Sequence, residues 1–138
     1  MENPTILHLE NKLDELNTIQ LFLDEMSEAW NIPMPLAMSL NLVLEEAFTN
    51  VVNYAFEDNL LHIIDLRFLK ENDDLVIVLS DDGKPYDPTA AQDPDTTLSV
   101  EDRAIGGLGI FLIRQIMDEV SYRYEGGKNF LLMKKKLN

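Results

Sequence analysis

The chain has 138 residues, which is enough for one compact domain over residues 1–138 and too few for two ordinary ones. Its 25 acidic and 11 basic residues give a net charge of −14, which disfavours direct binding to nucleic acid or to an anionic membrane surface. The absence of cysteine excludes disulfides, thiolate zinc sites and a cysteine nucleophile, and no apolar run could span a bilayer, so we expect a soluble cytoplasmic protein.

The N-terminal half of the chain predicts one strand followed by two helices. Residues 5–9 partly alternate apolar and polar side chains, which is typical of a short strand. Over residues 13–30, apolar residues recur at helical spacing with acidic residues between them, so we predict a helix. Residues 31–35 contain two prolines that end this helix, and Pro35 suits the first turn of a second helix over about 35–56.

Two predicted hairpins follow in the C-terminal half. Residues 62–69 and 75–79 are β-rich runs joined by a short polar turn. Residues 120–124 and 130–136 repeat this pattern around a turn that contains two glycines. We interpret the three lysines at the end of the last strand as charges that protect an exposed sheet edge.

A long polar segment over residues 80–105 separates the hairpins, and a glycine-opened helix is predicted over 106–117. Structureless segments of this length are unusual in small domains and often serve as binding loops, so we expect a lid over about 84–105. Because strands arrive in hairpins and not as βαβ units, the order predicts an α/β (α+β) two-layer sandwich. In it, a mostly antiparallel mixed sheet is covered on one face by about three helices.

A polar patch on the second predicted helix is the first candidate site. At about 100° per residue, Glu46, Thr49, Asn50 and Asn53 cluster roughly opposite the apolar stripe. Asparagine is unfavourable inside a helix, so the cluster is either a solvated face or an oxygen-ligand site. A carboxylate and an amide carbonyl one turn apart suit Mg²⁺, with waters and phosphates completing the octahedron.

Two further segments carry candidate chemistry. Residues 80–88 directly follow a strand and are either a plain turn or a loop that fixes the Asp81 carboxylate as an acceptor for a ligand N–H, with Gly83 allowing close approach. Residues 106–109 read Gly-Gly-Leu-Gly at a helix start, where free N–H groups favour phosphate. They match neither a Walker A loop nor a dinucleotide fingerprint.

Taken together and in this order, these motifs resemble the N, G1 and G2 boxes of the Bergerat-fold (GHKL) ATP-binding superfamily. The matching residues are Glu46-Ala47-Phe48-Thr49-Asn50 with Tyr54, Asp81-Asp82-Gly83 with Tyr86-Asp87-Pro88, and Gly106-Gly107-Leu108-Gly109-Ile110. The resemblance covers nearly the whole chain. The form of the boxes is most similar to that of the stand-alone anti-sigma-factor serine kinases of bacteria.

The resemblance implies ATP and Mg²⁺ as ligands and assigns roles to individual residues. Asn50 corresponds to the Mg²⁺ ligand, Glu46 to the carboxylate that activates the attacking hydroxyl, and Asp81 to the carboxylate that reads adenine. The remaining residues expected to bind ATP are Asn53, Gly83, Tyr86, Arg103, Gly106, Gly107, Leu108, Gly109 and Asn129. Of these, Asn129 stands in a final hairpin that lacks the family's Gly-Thr pair, and Arg103 is either a phosphate or partner contact or a solvated loop residue.

The implied function is a serine/threonine kinase that binds a sigma factor and phosphorylates an anti-anti-sigma protein of the STAS fold. A homodimer is compatible with the resemblance. The alternative is a non-catalytic module that binds ATP or sequesters a partner. A detached histidine-kinase catalytic domain would need a second chain, because neither His8 nor His62 lies on a predicted helix, and we interpret both as structural.

Overall fold

The computed structural model describes residues 5–90 and 107–137. Its helices and strands, in chain order, are β1 (Thr5–Glu10), α1 (Leu16–Ala29), α2 (Met34–Tyr54), β2 (Ile63–Glu71), β3 (Asp74–Asp81), α3 (Gly107–Ile116), β4 (Glu119–Glu125) and β5 (Lys128–Lys136). Short 3₁₀ turns cover Leu13–Glu15 and Pro88–Ala90. No helix in these two ranges is long and apolar enough to cross a membrane.

The five strands form one sheet in the order β1-β2-β3-β5-β4, and every neighbouring pair is antiparallel. The β2–β3 and β4–β5 pairs are the two predicted hairpins. The β3–β5 pairing joins them and is not between consecutive strands. With α1, α2 and α3 as the helical elements, the predicted two-layer α+β sandwich is confirmed.

The core lies between the helices and one face of the sheet. Alternate residues of the central strand β3, namely Leu75, Ile77 and Leu79, are buried there. They belong to one hydrophobic cluster with Leu44 and Phe48 of α2. This period-two pattern against a helical stripe explains why the strands and α2 were readable from sequence.

The helix boundaries follow from local chemistry. The predicted helix over 13–30 is divided into a 3₁₀ turn and α1, and Asn31 adopts a left-handed φ of 54° just beyond α1. Asparagine tolerates this conformation better than most residues, which lets the chain reverse before α2. Helix α2 begins one residue before Pro35, so the proline occupies its first turn as predicted.

The interpretation of the C-terminal lysines as protection of a sheet edge was wrong for the strand that carries them. Strand β5 lies between β3 and β4, and Lys134 pairs with both neighbours, whereas Lys135 and Lys136 pair with β3 and lie beyond the last residue pair with β4. Lys134 lies 3.9 Å from Glu119 and Lys135 lies 3.7 Å from Asp118. The charges are tolerated because they occupy the strand's end, where long side chains reach water and carboxylates.

Gly83 determines how closely the loop after β3 packs on the end of α2. A Cβ placed on Gly83 would lie 2.4 Å from the Ala55 carbonyl oxygen and 2.7 Å from the Ala55 Cβ. The next residue, Lys84, donates its N–H to the same carbonyl at 2.8 Å. Neither contact atom belongs to a flexible side chain, so the backbones would have to separate.

We therefore expect Gly83→Ala to lower the free energy of unfolding by about 1–3 kcal/mol, the usual cost of overpacking. Urea unfolding followed by circular dichroism measures this change. Gly127→Asn is the matched control, because a Cβ placed on Gly127 would have no neighbour within 4 Å and its φ of 78° is one that asparagine accepts. Equal stability of Gly83→Ala and wild type would contradict the packing argument.

Candidate functional site

A pocket opens between α2 and the ends of β3 and β5. Its walls include Ala47, Asn50 and Val51 of α2, and Leu79, Asp81, Asn129 and Leu131 of the sheet. The space between these walls, including the open mouth, is about 380 Å³. Aliphatic walls with a few polar groups at fixed positions are typical of a site for a small, flat ligand.

Asp81 is the buried acid of this pocket, with 4% of its surface exposed at the end of β3. Its Oδ1 accepts hydrogen bonds from the Gly83 N–H at 2.8 Å and the Asn129 Nδ2 at 2.9 Å. Within residues 5–90 and 107–137, Oδ2 has no donor. Burial raises the pKa of Asp81, and the two hydrogen bonds oppose that rise. Among these residues, the Oδ2 atom is therefore an acceptor left open to a ligand.

Asn129 lies directly opposite Asp81 in the β3–β5 register and is 5% exposed. Besides its bond to Asp81, its Nδ2 donates to the Lys84 carbonyl at 2.8 Å. Its Oδ1 accepts the Tyr86 N–H at 3.1 Å and also the Tyr122 hydroxyl. The Asn129 amide thus fastens residues 83–86 to β5 and orients the Asp81 carboxylate.

Asn50 and Glu46 lie one turn apart on α2, beneath the first turn of α3. Asn50 is 9% exposed, and Glu46 is half-buried. A Cβ placed on Gly109 would lie 3.0 Å from Glu46 Oε2 and 3.4 Å from Asn50 Nδ2. Within the described ranges neither side chain has a hydrogen-bond partner, and buried amides normally have one. Both groups are therefore available to a ligand.

The side chains at this position fit a magnesium ion that has few protein ligands and is held mainly by phosphates and waters. Among the described residues, no three His, Asp or Glu side chains converge on one point. Asn50 offers a neutral carbonyl oxygen, with the Glu46 carboxylate one turn away. Magnesium is commonly held by one or two protein oxygens, with phosphates and waters supplying the rest.

Of the other predicted site residues, some lie at the pocket, one lies away from it, and some lie outside the described residues. Tyr86 lines the pocket, with its ring centroid 6.1 Å from that of Tyr54. Asn53 is exposed on α2 and does not line the pocket. Gly107, Leu108 and Gly109 form the start of α3. Arg103, Gly106 and most of the predicted lid lie outside the described residues.

Tyr122 is a pocket residue that the sequence analysis did not identify. It pairs with Leu131 in the β4–β5 register, so its ring faces the pocket and its hydroxyl reaches Asn129. Alternation along β4 would have placed Tyr122 on the same face as Val120. That this face of β4 borders the pocket follows only from the pairing of β5 with β3, which the sequence does not show.

His62 joins the loop after α2 to the residue that follows Asp81. Its Nε2 lies 2.7 Å from Asp58 Oδ1 and its Nδ1 lies 3.1 Å from Asp82 Oδ1. The imidazole also stacks on Phe56, with centroids 4.2 Å apart. The hydrogen bond to Asp58, and secondarily that to Asp82, raises the pKa of His62.

A raised histidine pKa predicts the sign of a pH effect. The contribution of protonated His62 to stability is fully present below the unfolded pKa of about 6.5 and is lost as pH rises through the higher folded pKa. The unfolding free energy of wild type should therefore decline as pH rises above about 6.5, and we expect this decline to be smaller in His62→Gln. Denaturant titrations of wild type and His62→Gln at several pH values measure it. If the unfolding free energy of His62→Gln depended on pH as that of wild type does, protonated His62 would not stabilise the fold through Asp58 and Asp82.

Known proteins share both the sequence and the fold of this chain. Residues 9–135 match the family described as histidine kinase-like ATPase domain. The chain is 33% identical over 98 residues to the serine/threonine-protein kinase BtrW of Bordetella bronchiseptica, covering 71% of this chain and 69% of the relative. It is 29% identical over 138 residues to the serine-protein kinase RsbW of Listeria monocytogenes, covering 97% of this chain and 88% of the relative.

Two solved structures share the fold. The structure of the RsbU and RsbW domains of Rv1364c from Mycobacterium tuberculosis matches with a TM-score of 0.70 at 12% identity, over 99% of this chain and 33% of that one. The histidine kinase domain of EL346 from Erythrobacter litoralis matches with a TM-score of 0.58 at 18% identity, over 91% and 60%. The predicted resemblance is confirmed: this chain belongs to the family of GHKL-type, histidine kinase-like ATPase domains and is homologous to the RsbW and BtrW kinases.

Proposed function

We propose that this protein is a cytoplasmic, ATP-dependent serine/threonine kinase that acts as an anti-sigma regulatory factor. Its substrate is an anti-anti-sigma protein of the STAS fold, and its regulatory target is a sigma factor. The observation that carries the proposal is the Glu46 carboxylate beside the Asn50 amide, both without a partner among the described residues, at the edge of the pocket that contains Asp81. The names of the homologous kinases support the same activity.

Each side chain has a distinct task in binding ATP. Asp81 Oδ2 accepts a hydrogen bond from the exocyclic amine of adenine, while Ala47, Val51 and Leu79 contact the base. Asn50 is the protein ligand that holds Mg²⁺ against the phosphates. The metal supplies neutralisation of the charge on the phosphates. Because the chain itself carries a net charge of −14, that neutralisation cannot come from its overall field.

Glu46 acts on the protein substrate. Its carboxylate accepts the proton of a serine or threonine hydroxyl, whose oxygen forms a bond to the γ-phosphorus. The bond between the γ-phosphorus and the bridging oxygen breaks, and ADP leaves with that electron pair. Positioning and charge stabilisation account for most of the catalysis of such a transfer. Gly109 leaves room for the carboxylate beneath α3.

The alternative is a non-catalytic module that binds ATP or sequesters its partner. One observation favours it. The Asn129 amide, which occupies the last hairpin where the family carries a Gly-Thr pair, directs its hydrogen bonds to protein groups. A direct contact from this position to the base is then missing, which weakens nucleotide binding more than it weakens partner binding.

Phosphoryl transfer to individual STAS proteins tests the proposal. Each STAS-domain protein of the source genome is incubated with the kinase and Mg-ATP, and mass spectrometry is used to find phosphoserine or phosphothreonine. We expect one or a few substrates to gain one phosphate, and Glu46→Gln to slow this gain by about 10²–10⁴-fold. Binding without any transfer to a STAS protein would favour the non-catalytic module.

A further inference from the structure

The outer surface of α2 carries an apolar stripe that the ATP site does not use. Met34, Met38 and Leu42 are 75%, 68% and 37% exposed. They are spaced four residues apart, so they form one line of neighbouring side chains that turns by about 40° around the helix at each step. This line faces away from the sheet, whereas the buried residues of α2 face towards it. An amphipathic surface helix normally carries polar side chains there.

The stripe leads directly to the candidate base. Glu46 follows Leu42 by one turn, about 6 Å further along the axis and turned by about 40°, so it lies at the margin of the stripe next to α3. Met34, at the other end, is about 18 Å from Glu46 by the same measure. A protein that covers the stripe therefore brings its own surface to the carboxylate that must receive the hydroxyl proton.

The charges of α1 and α2 indicate which kind of protein covers the stripe. Helices α1 and α2 together contain five carboxylates and no lysine, arginine or histidine. The carboxylates are those of Asp24, Glu25, Glu28, Glu45 and Glu46. A second copy of this chain would place another five carboxylates against them, which is unfavourable. A partner with lysine and arginine around an apolar centre would be complementary.

A groove beside the stripe supplies polar contacts for the lysine and arginine side chains of such a partner. It lies between α1 and α2, and its lining consists of the apolar Leu16 and Ile19 and of four polar side chains, Asn17, Gln20, Asn41 and Glu45. In the sequence of α2, Asn41 directly precedes Leu42 and Glu45 follows it by three residues. Methionine side chains are unbranched and adapt to the shape of a partner. An adaptable apolar centre with a polar rim is the usual anatomy of a protein interface.

We propose that Met34, Met38 and Leu42 form the docking surface for the protein that accepts the phosphate, and that this protein presents an apolar patch ringed by lysine and arginine. The proposal rests on the proposed kinase function for the identity of the partner. It adds that binding energy for the substrate comes from the first half of α2 and delivers the hydroxyl to Glu46.

The test uses a double variant, Met34→Gln with Met38→Gln, in the full chain. Glutamine keeps the length of the side chain and the helix propensity while removing apolar contact. Leu21→Gln is the matched control, because Leu21 is 66% exposed on α1 and off the stripe. Circular dichroism and ATP calorimetry of all three proteins verify that the fold and the nucleotide site are unchanged.

The readouts are calorimetric binding to each STAS protein and each sigma factor of the source genome, the kinetics of transfer, and the oligomeric state by light scattering. We expect the double variant to bind the partner at least about tenfold more weakly and to raise its KM by a similar factor, with kcat and ATP affinity unchanged. The Leu21→Gln control should match wild type. Added salt should weaken wild-type binding, since the charged rim is exposed.

Three outcomes would overturn the docking surface: unchanged partner affinity in the double variant, a loss confined to sigma-factor binding, or a change from dimer to monomer in light scattering. Wild type that binds no STAS protein would overturn it as well. Weaker partner binding by the double variant, in a protein that transfers no phosphate, would support the docking surface while the kinase proposal fails.

Discussion

Replacing Glu46 with glutamine should leave Mg-ATP binding nearly unchanged and slow phosphoryl transfer by about 10²–10⁴-fold, the range typical of a lost general base. Glutamine keeps the size of the side chain, so the contact with Gly109, where a Cβ would lie 3.0 Å from the carboxylate, is preserved. Only the capacity to accept a proton is removed. Because that capacity is needed in the transition state alone, kcat should fall while the ATP affinity does not.

Glu45→Gln is the matched control for this experiment. Glu45 is the preceding residue on α2, is exposed, and points about 100° away from Glu46. At saturating STAS substrate it should transfer phosphate at close to the wild-type rate, because Glu45 lines the groove beside the stripe and is not one of the reacting groups. Single-turnover measurements with a saturating STAS substrate separate the chemical step from product release. A wild-type rate in Glu46→Gln would show that Glu46 is not the base. The site would then be supported as a nucleotide-binding site only.

Replacing Asp81 with asparagine should lower ATP affinity by about 10- to 100-fold, which corresponds to about 1.5–3 kcal/mol for a charge-assisted hydrogen bond. The geometry explains why an isosteric change is this damaging. The Gly83 N–H and the Asn129 amide both donate to Oδ1, so an asparagine here must keep its oxygen at that position. Its NH₂ then occupies the Oδ2 position, where a donor would face the amine of adenine.

The same geometry predicts a change in base preference. A donor at the Oδ2 position complements a base that presents a carbonyl there, so Asp81→Asn should lose less affinity for GTP than for ATP. Calorimetry with both nucleotides measures this, and thermal unfolding verifies the fold. Asp82→Asn, at the next and exposed residue, should keep the wild-type ATP affinity. Wild-type ATP binding by Asp81→Asn would remove this residue from the role of base reader.

Much of the candidate site was predictable from sequence because its residues lie close together along the chain. Glu46 and Asn50 are one helical turn apart, and helix periodicity alone brings them to one face. Asp81 and Gly83 are two residues apart at the end of an apolar run, which is typical of a strand end followed by a tight turn. The order of these short motifs then indicated the family, and the family indicated the fold.

Tertiary packing decided how the polar patch of α2 is divided. Periodicity gives the angle of each side chain about the helix axis but not the position of the neighbouring helix. Because α3 lies over Glu46 and Asn50, these two are sheltered beside the pocket, whereas Asn53 remains exposed. The prediction for Asn53 therefore has no geometric support from the pocket.

The sequence by itself determined the elements, because alternation, helical spacing and turn residues are local signals that each segment carries alone. It could not determine that β5 inserts between β3 and β4, since hairpin signals identify partners only for consecutive strands. That one non-consecutive pairing brings Asn129 opposite Asp81, turns Tyr122 towards the pocket and places the terminal lysines in an interior strand. The burial of apolar surface on the helical layer selects this strand order, and burial is a property of the whole fold.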